Sequence, residues 1–152
     1  REDMTHAVAK GFFFQMRQPE PGIVEAVEAY LRSLEPEPSP WLSLDGQQTP
    51  AAKQGEKIFQ SEAAACAQCH TGPLLTDRKQ HDVGTRGKID RVAIFDTPSL
   101  IEIYRTAPYL HDGSAATLHE VLIRTNRDDQ HGKTSHLTPQ QIEDLIAYLK
   151  SL

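Results

Sequence analysis

A chain of 152 residues with 38% hydrophobic side chains and a formal charge of −5 has room for one ordinary domain, or for one domain and a piece of another, with less apolar material than a large dry core uses. No run of lysine or arginine tracks a nucleic-acid backbone, so DNA and RNA are excluded as expected partners, and a basic or neutral protein suits the charge better. Stretches such as Gly11-Phe12-Phe13-Phe14 are too short to span a bilayer.

The first fifty residues read as the end of something. Pro21 to Leu34 lies over Pro139 to Leu152 with identity at the proline, one glutamate, Ala-Tyr-Leu and the final Ser-Leu, and Thr5-His6-Ala7-Val8 similarly matches Leu118-His119-Glu120-Val121. Two matching segments in the same order make an internal repeat, so residues 1–34 are expected to be the C-terminal remnant of a preceding domain. That remnant carries no Cys-x-x-Cys-His motif of its own. Pro36, Pro38 and Pro40 alternate with polar residues, a stiff pattern that no helix continues. Residues 35–50 are therefore read as a linker, with Trp41 as a packing residue, and residues 51–152 as the second domain.

Ala51 to Phe59 has helical composition interrupted by Gly55. A glycine inside a helix costs stability, so its presence predicts that another backbone crosses there. The last helix is the expected partner: Thr138, Pro139 and Gln141 supply an N-cap, a first-turn proline and a capping-box glutamine. Ile142, Leu145, Ile146 and Leu149 recur on one face, with Tyr148 placed to meet Phe59 or Gly55.

Between these helices stands Cys66-Ala67-Gln68-Cys69-His70. Two thiols two residues apart can bond both vinyl groups of a haem while the next residue reaches the iron. The competing readings are a disulfide, a thioredoxin-like pair and half of a zinc site. Zinc would want a second Cys or His pair at ligand spacing, whereas both cysteines of the chain are in this motif, and a thioredoxin-like pair wants a βαβ setting that the flanking sequence lacks. Covalent haem c is the expected cofactor. Thr71-Gly72-Pro73-Leu74-Leu75-Thr76-Asp77 is turn-forming at first and then apolar, and a backbone carbonyl in this stretch is expected to accept the imidazole N–H, a role that the rigidity of Pro73 helps. Residues 81–94 read as a polar loop, and Phe95 to Tyr104 as a turn into a short helix from Pro98 with Leu100 and Ile103 inward. No strand signal persists, so the class is all-α, a cytochrome c-like helical fold around the haem.

With these residues in view, the chain resembles the C-terminal domain of the bacterial di-haem cytochrome c peroxidase and MauG-like family. The resemblance is carried by Cys66 to Asp77, His81 to Thr85, Phe95 to Leu100, Thr106 to Gly113 and Ala116 to Val121. It implies tandem cytochrome c domains, His70 as proximal iron ligand and Cys66 and Cys69 as thioether anchors. Family members carry a methionine or tyrosine as sixth ligand at a position that falls here near Thr125 and Asn126, neither a good ligand. Met4 and Met16, the only methionines, lie in the N-terminal piece. The loop before the last helix instead holds His131 and His136, so His131 is the expected distal ligand, with His136 as alternative; solvated histidines and an open iron site form the competing reading. Arg105 and His111 are candidate haem-propionate partners, Tyr109 and Leu110 candidate pocket walls, and His81 and His119 are read as structural or exposed.

The expected function is one-electron transfer within a di-haem peroxidase-like oxidoreductase, receiving electrons from a small redox donor protein and passing them to a catalytic haem in an upstream domain or partner chain. The alternatives are a peroxide- or oxygen-reactive haem with His81 or His111 assisting, or a haem-based sensing module. Calcium at the domain junction, present in some relatives, is a further possibility. Since haem is attached to thiols outside the cytoplasm, a periplasmic or otherwise extracytoplasmic location is expected, with an export signal once preceding Arg1.

Overall fold

Between α3 (Pro50–Gln60) and α4 (Pro139–Ser151) the two backbones touch, and that contact anchors the larger of two compact units, Glu37–Leu152 and Arg1–Pro36. These are observations on a computed structural model that describes residues 2–15 and 18–152. Met16 lies outside the described residues.

A methyl group built on Gly55 would stand 1.9 Å from the Asp144 carbonyl oxygen and 2.8 Å from Tyr148 Cβ. Only a bare Cα permits this approach. One turn on, Phe59 packs on Tyr148 with ring centres 5.2 Å apart, and Leu145 is fully buried beside Ile142, Ile146 and Leu149. The expected caps are present. Thr49 Oγ1 accepts from the Ala52 amide at 3.2 Å ahead of Pro50, and Thr138 and Gln141 close a reciprocal capping box at the start of α4. Gly55→Ala should destabilise this unit by about 2 kcal/mol or more, because overpacking outweighs the roughly 1 kcal/mol that alanine gains in a helix. Gly11→Ala, with nothing within 4 Å of the added methyl, should show no such loss; chemical denaturation of both variants checks this.

The smaller unit is a helical pair, α1 (Glu2–Phe14) and α2 (Ile23–Ser33), with Thr5 donating to Glu28 and Arg32 paired to Glu28 at 2.8 Å. Glu37 to Thr49 is the first stretch of the larger unit. Ser39 Oγ donates to the Lys150 carbonyl, and the Lys150 ammonium sits 4.2 Å from the centre of the Trp41 ring, which is half exposed.

The segment joining α3 to α4 is mostly irregular. It contains tight turns at Cys66–Gln68 and Ile103–Arg105, and a wide helical turn at Glu120–Arg124 that closes with the Thr125 amide on the Glu120 carbonyl at 3.0 Å. Two differences from expectation appear. Gln80–His81 (β1) pairs antiparallel with Phe95–Asp96 (β2) in a two-residue ladder, and Tyr109 and Ala115 form a single antiparallel bridge, within an otherwise helical and irregular chain. The helix expected from Pro98 does not form. Ser99 Oγ donates to the Leu74 carbonyl at 2.8 Å and accepts from the Ile101 amide, and Glu102 adopts φ +57°. Together these divert the backbone from a helical path.

Candidate haem site

The cysteine motif follows α3 directly. Ser61 caps that helix and its hydroxyl accepts from the Ala64 amide at 3.1 Å; Cys66–Gln68 then forms a tight turn, and the His70 amide donates to the Cys66 carbonyl at 3.1 Å. This coiling brings Cys66, Cys69 and His70 to one cavity of 490 Å3, whose apolar wall includes Phe59, Leu100 and Leu145 from the core. Its size lies within the roughly 300–1,000 Å3 of cofactor and ligand pockets.

His70 is 8% exposed and donates Nδ1–H to the Leu75 carbonyl at 3.1 Å, which leaves the Nε2 lone pair free. Burial lowers its pKa against the opposing pull of the Leu75 and Pro98 carbonyls. His131 also lines the cavity. Its ring centre lies 6.1 Å from that of His70, with the planes at 42°. A metal held between two imidazoles sits about 2 Å from each nitrogen, which separates the ring centres by about 6 Å. Burial, and secondarily the nearby His70, push His131 down to about 4, so both rings are neutral at pH 7, the form that binds metals. His131 Nδ1 is also buried with no hydrogen-bond partner. Such burial is costly; a metal bound at Nδ1 itself would offset it, whereas one bound at Nε2 would leave it unpartnered. The thiols are poised differently: desolvation pushes Cys66 up to about 11 and also raises Cys69. Two thiols, a buried imidazole with an oriented N–H and a facing second imidazole fit a thioether-bound haem.

Residues 52–152 match the family described as cytochrome c. The chain belongs to the cytochrome c family. Membership implies covalent haem c. The chain is 36% identical to hydrazine synthase subunit gamma of Kuenenia stuttgartiensis over 93% of its own length and 52% of that protein. It is 30% identical to the methylamine utilization protein MauG of Methylorubrum extorquens over 66% of this chain and 34% of MauG. The solved hydrazine synthase of K. stuttgartiensis superposes with a TM-score of 0.79 at 36% identity, covering 93% of this chain and 59% of that one. Cytochrome-c peroxidases are also among its relatives. This cytochrome c domain and its N-terminal helices thus span between about a third and about half of the curated relatives just named, and the larger unit has a cytochrome c fold consistent with a MauG-like di-haem family member.

The remaining candidate residues divide between the cavity wall and the surface. Arg105 lies away from the cavity, held by Glu102 at 2.6 Å and Glu37 at 3.7 Å, so its guanidinium is already engaged by carboxylates. Pro73 is exposed and outside the cavity lining, while the carbonyl expected from residues 71–77 to orient His70 is that of Leu75, at φ +50°. His136 is exposed and does not line the cavity. Leu100, Tyr109 and Leu110 do line it, with the Tyr109 hydroxyl donating to the Ile103 carbonyl at 3.1 Å. His111 lines it too, stacked on Phe95 at 3.6 Å and bonded through Nε2 to Asp90 at 2.9 Å. His81 pairs with Asp77 at 2.7 Å, while His119 is exposed. Cys69, Asp77 and His81 bring potential ligand atoms within 4.8 Å of one another, but the existing His81–Asp77 bond and the use of Cys69 in the haem motif leave the zinc reading without a complete ligand set. Thr125 and Asn126 do not line the cavity.

Proposed function

We propose that residues 51–152 form the electron-transfer haem domain of a di-haem, peroxidase-like oxidoreductase, with Cys66 and Cys69 as thioether anchors, His70 as proximal ligand and His131 as distal ligand. The observation that carries this reading is the pair of neutral, buried imidazoles facing across 6.1 Å. Ring centres at that spacing suit one metal atom bonded to both imidazoles at about 2 Å each, an arrangement that leaves no iron position for peroxide. Bound haem supplies reversible one-electron storage, whereas peroxide chemistry needs an open position on the iron. The chain's own residues hold and insulate: Leu75 fixes the His70 ring through Nδ1, and Phe59, Leu100 and Leu145 exclude water from one side. His111, bonded to Asp90, and His81, bonded to Asp77, line the cavity, acid–base groups that a peroxide-reactive site would use. They are what favours the rival catalytic reading.

The electron donor is proposed to be a small redox protein and the acceptor a second haem upstream or on a partner chain, at an extracytoplasmic location where thioether attachment takes place. No described helix is long and apolar enough to cross a membrane. The optical spectrum of the haem-loaded chain tests the proposal. A low-spin ferric spectrum without the far-red band of sulfur ligation, and no peroxide consumption by this chain alone, are expected; a high-spin ferric spectrum with peroxide turnover would overturn it.

A further inference from the structure

On that reading of His131 as ligand, we infer that Asn126 is the positioning residue that locks the distal histidine in place. Asn126 is 4% exposed and spends its side chain on the His131 loop. Its Oδ1 accepts the His131 amide at 2.8 Å, while Nδ2 donates to the Gly132 carbonyl and to Thr134 Oγ1, both at 2.9 Å. Thr134, 2% exposed, donates its own hydroxyl to the Leu122 carbonyl at 2.6 Å. The wide turn Glu120–Arg124 is thereby tied to the loop twice, by Asn126 and by Thr134. From the other side, the Lys133 amide donates to the Ala64 carbonyl at 2.8 Å. Gly132, at φ +74°, leaves only 3.2 Å between that carbonyl and an added methyl, and 3.5 Å to Cys66 Sγ. The distal loop is therefore bonded to the haem-attachment turn as well as to the core. His131 itself has no side-chain hydrogen bond at its buried Nδ1, so its position rests on its backbone, and the backbone rests on Asn126.

An amide side chain whose three bonds all close on one short loop holds the ligand at the iron by keeping the loop from opening. Cyanide added to the ferric haem-loaded protein reads that opening, since the anion binds only when His131 leaves. Asn126→Ala should keep the haem and bind cyanide about ten- to a hundredfold faster than wild type, the factor expected from losing two or three buried hydrogen bonds. Asn126→Asp keeps the acceptor for the His131 amide but gives up both donors, and its rate should fall between the two; where the alanine variant does not fold, the aspartate variant is the deciding one. Ile142→Val, on α4 and outside the cavity, lowers stability without touching the loop, and its cyanide rate should match wild type. Cyanide binding by both Asn126 variants at the wild-type rate would overturn the inference while leaving bis-histidine ligation standing. A high-spin wild-type spectrum would instead remove the reading on which it rests.

Discussion

His131→Ala should turn a six-coordinate, low-spin ferric haem into a high-spin one, and the change should be complete rather than graded. No other described side chain supplies a facing imidazole: His136 is exposed, His111 is bonded to Asp90 and His81 to Asp77. Loss of an imidazole that stabilises the ferric state should also raise the midpoint potential, by on the order of 100 mV within the span of nearly a volt that axial ligands control. On the proposed electron-transfer role, opening the iron in a cavity lined by His111 should confer measurable peroxide reactivity. His136→Ala is the matched control and should leave spectrum and potential unchanged. Retention of the low-spin spectrum in His131→Ala would show that the ligand comes from elsewhere.

The second large effect is expected from removing the anchors. Cys66→Ala combined with Cys69→Ala should give a protein whose haem is extracted by acidified organic solvent, with a pyridine haemochrome of the vinyl-bearing type. Each single variant keeps one thioether and should be only partly extractable. Stability should fall with the haem. An unfilled cavity of 490 Å3 leaves core side chains such as Phe59, Leu100 and Leu145 facing water, a heavy loss of apolar burial for a domain whose total stability is about 5–15 kcal/mol. The expected readout is loss of near-ultraviolet circular dichroism in the haem-free variant, with helical signal partly retained. A double variant that stays rigidly folded without haem would contradict the view that the porphyrin completes this core.

What the sequence disclosed well was governed by local chemistry. A glycine out of place in a helix pointed to a crossing backbone, and Gly55 meets Asp144 as its misplacement implies. Threonine, proline and glutamine at fixed offsets marked the start of α4, and the spacing of Cys66, Cys69 and His70 brought them to one cavity. What it disclosed poorly was choice among long-range partners. Arg105 had two carboxylates and a hypothetical propionate to choose from, and its partners are Glu37 and Glu102. The stretch after His70 pointed to a carbonyl for the imidazole, but which residue of residues 71–77 supplies it depends on the left-handed conformation of Leu75, which composition does not signal. Asn126 is a poor ligand when judged by its chemistry toward iron. Its importance lies in bonds to a loop five to eight residues ahead, a role marked in sequence only by a polar residue directly after a helical turn and by the glycine following His131.

The facing imidazoles also bear on the topology of the unfolded chain. His70 and His131 are separated by about 60 residues, and on the proposed ligation a single iron atom closes that span into a ring, one end fixed permanently by thioethers and the other by a bond that can break. Such a closure restricts the denatured ensemble as a disulfide of equal span does, worth about 4 kcal/mol in the chain-entropy description. Unlike a disulfide, it opens without any change in oxidation state, when a histidine is protonated or displaced. The distal bond is thus a reversible cross-link, and a strong exogenous ligand should lower the melting temperature of the domain even though it leaves every covalent attachment intact.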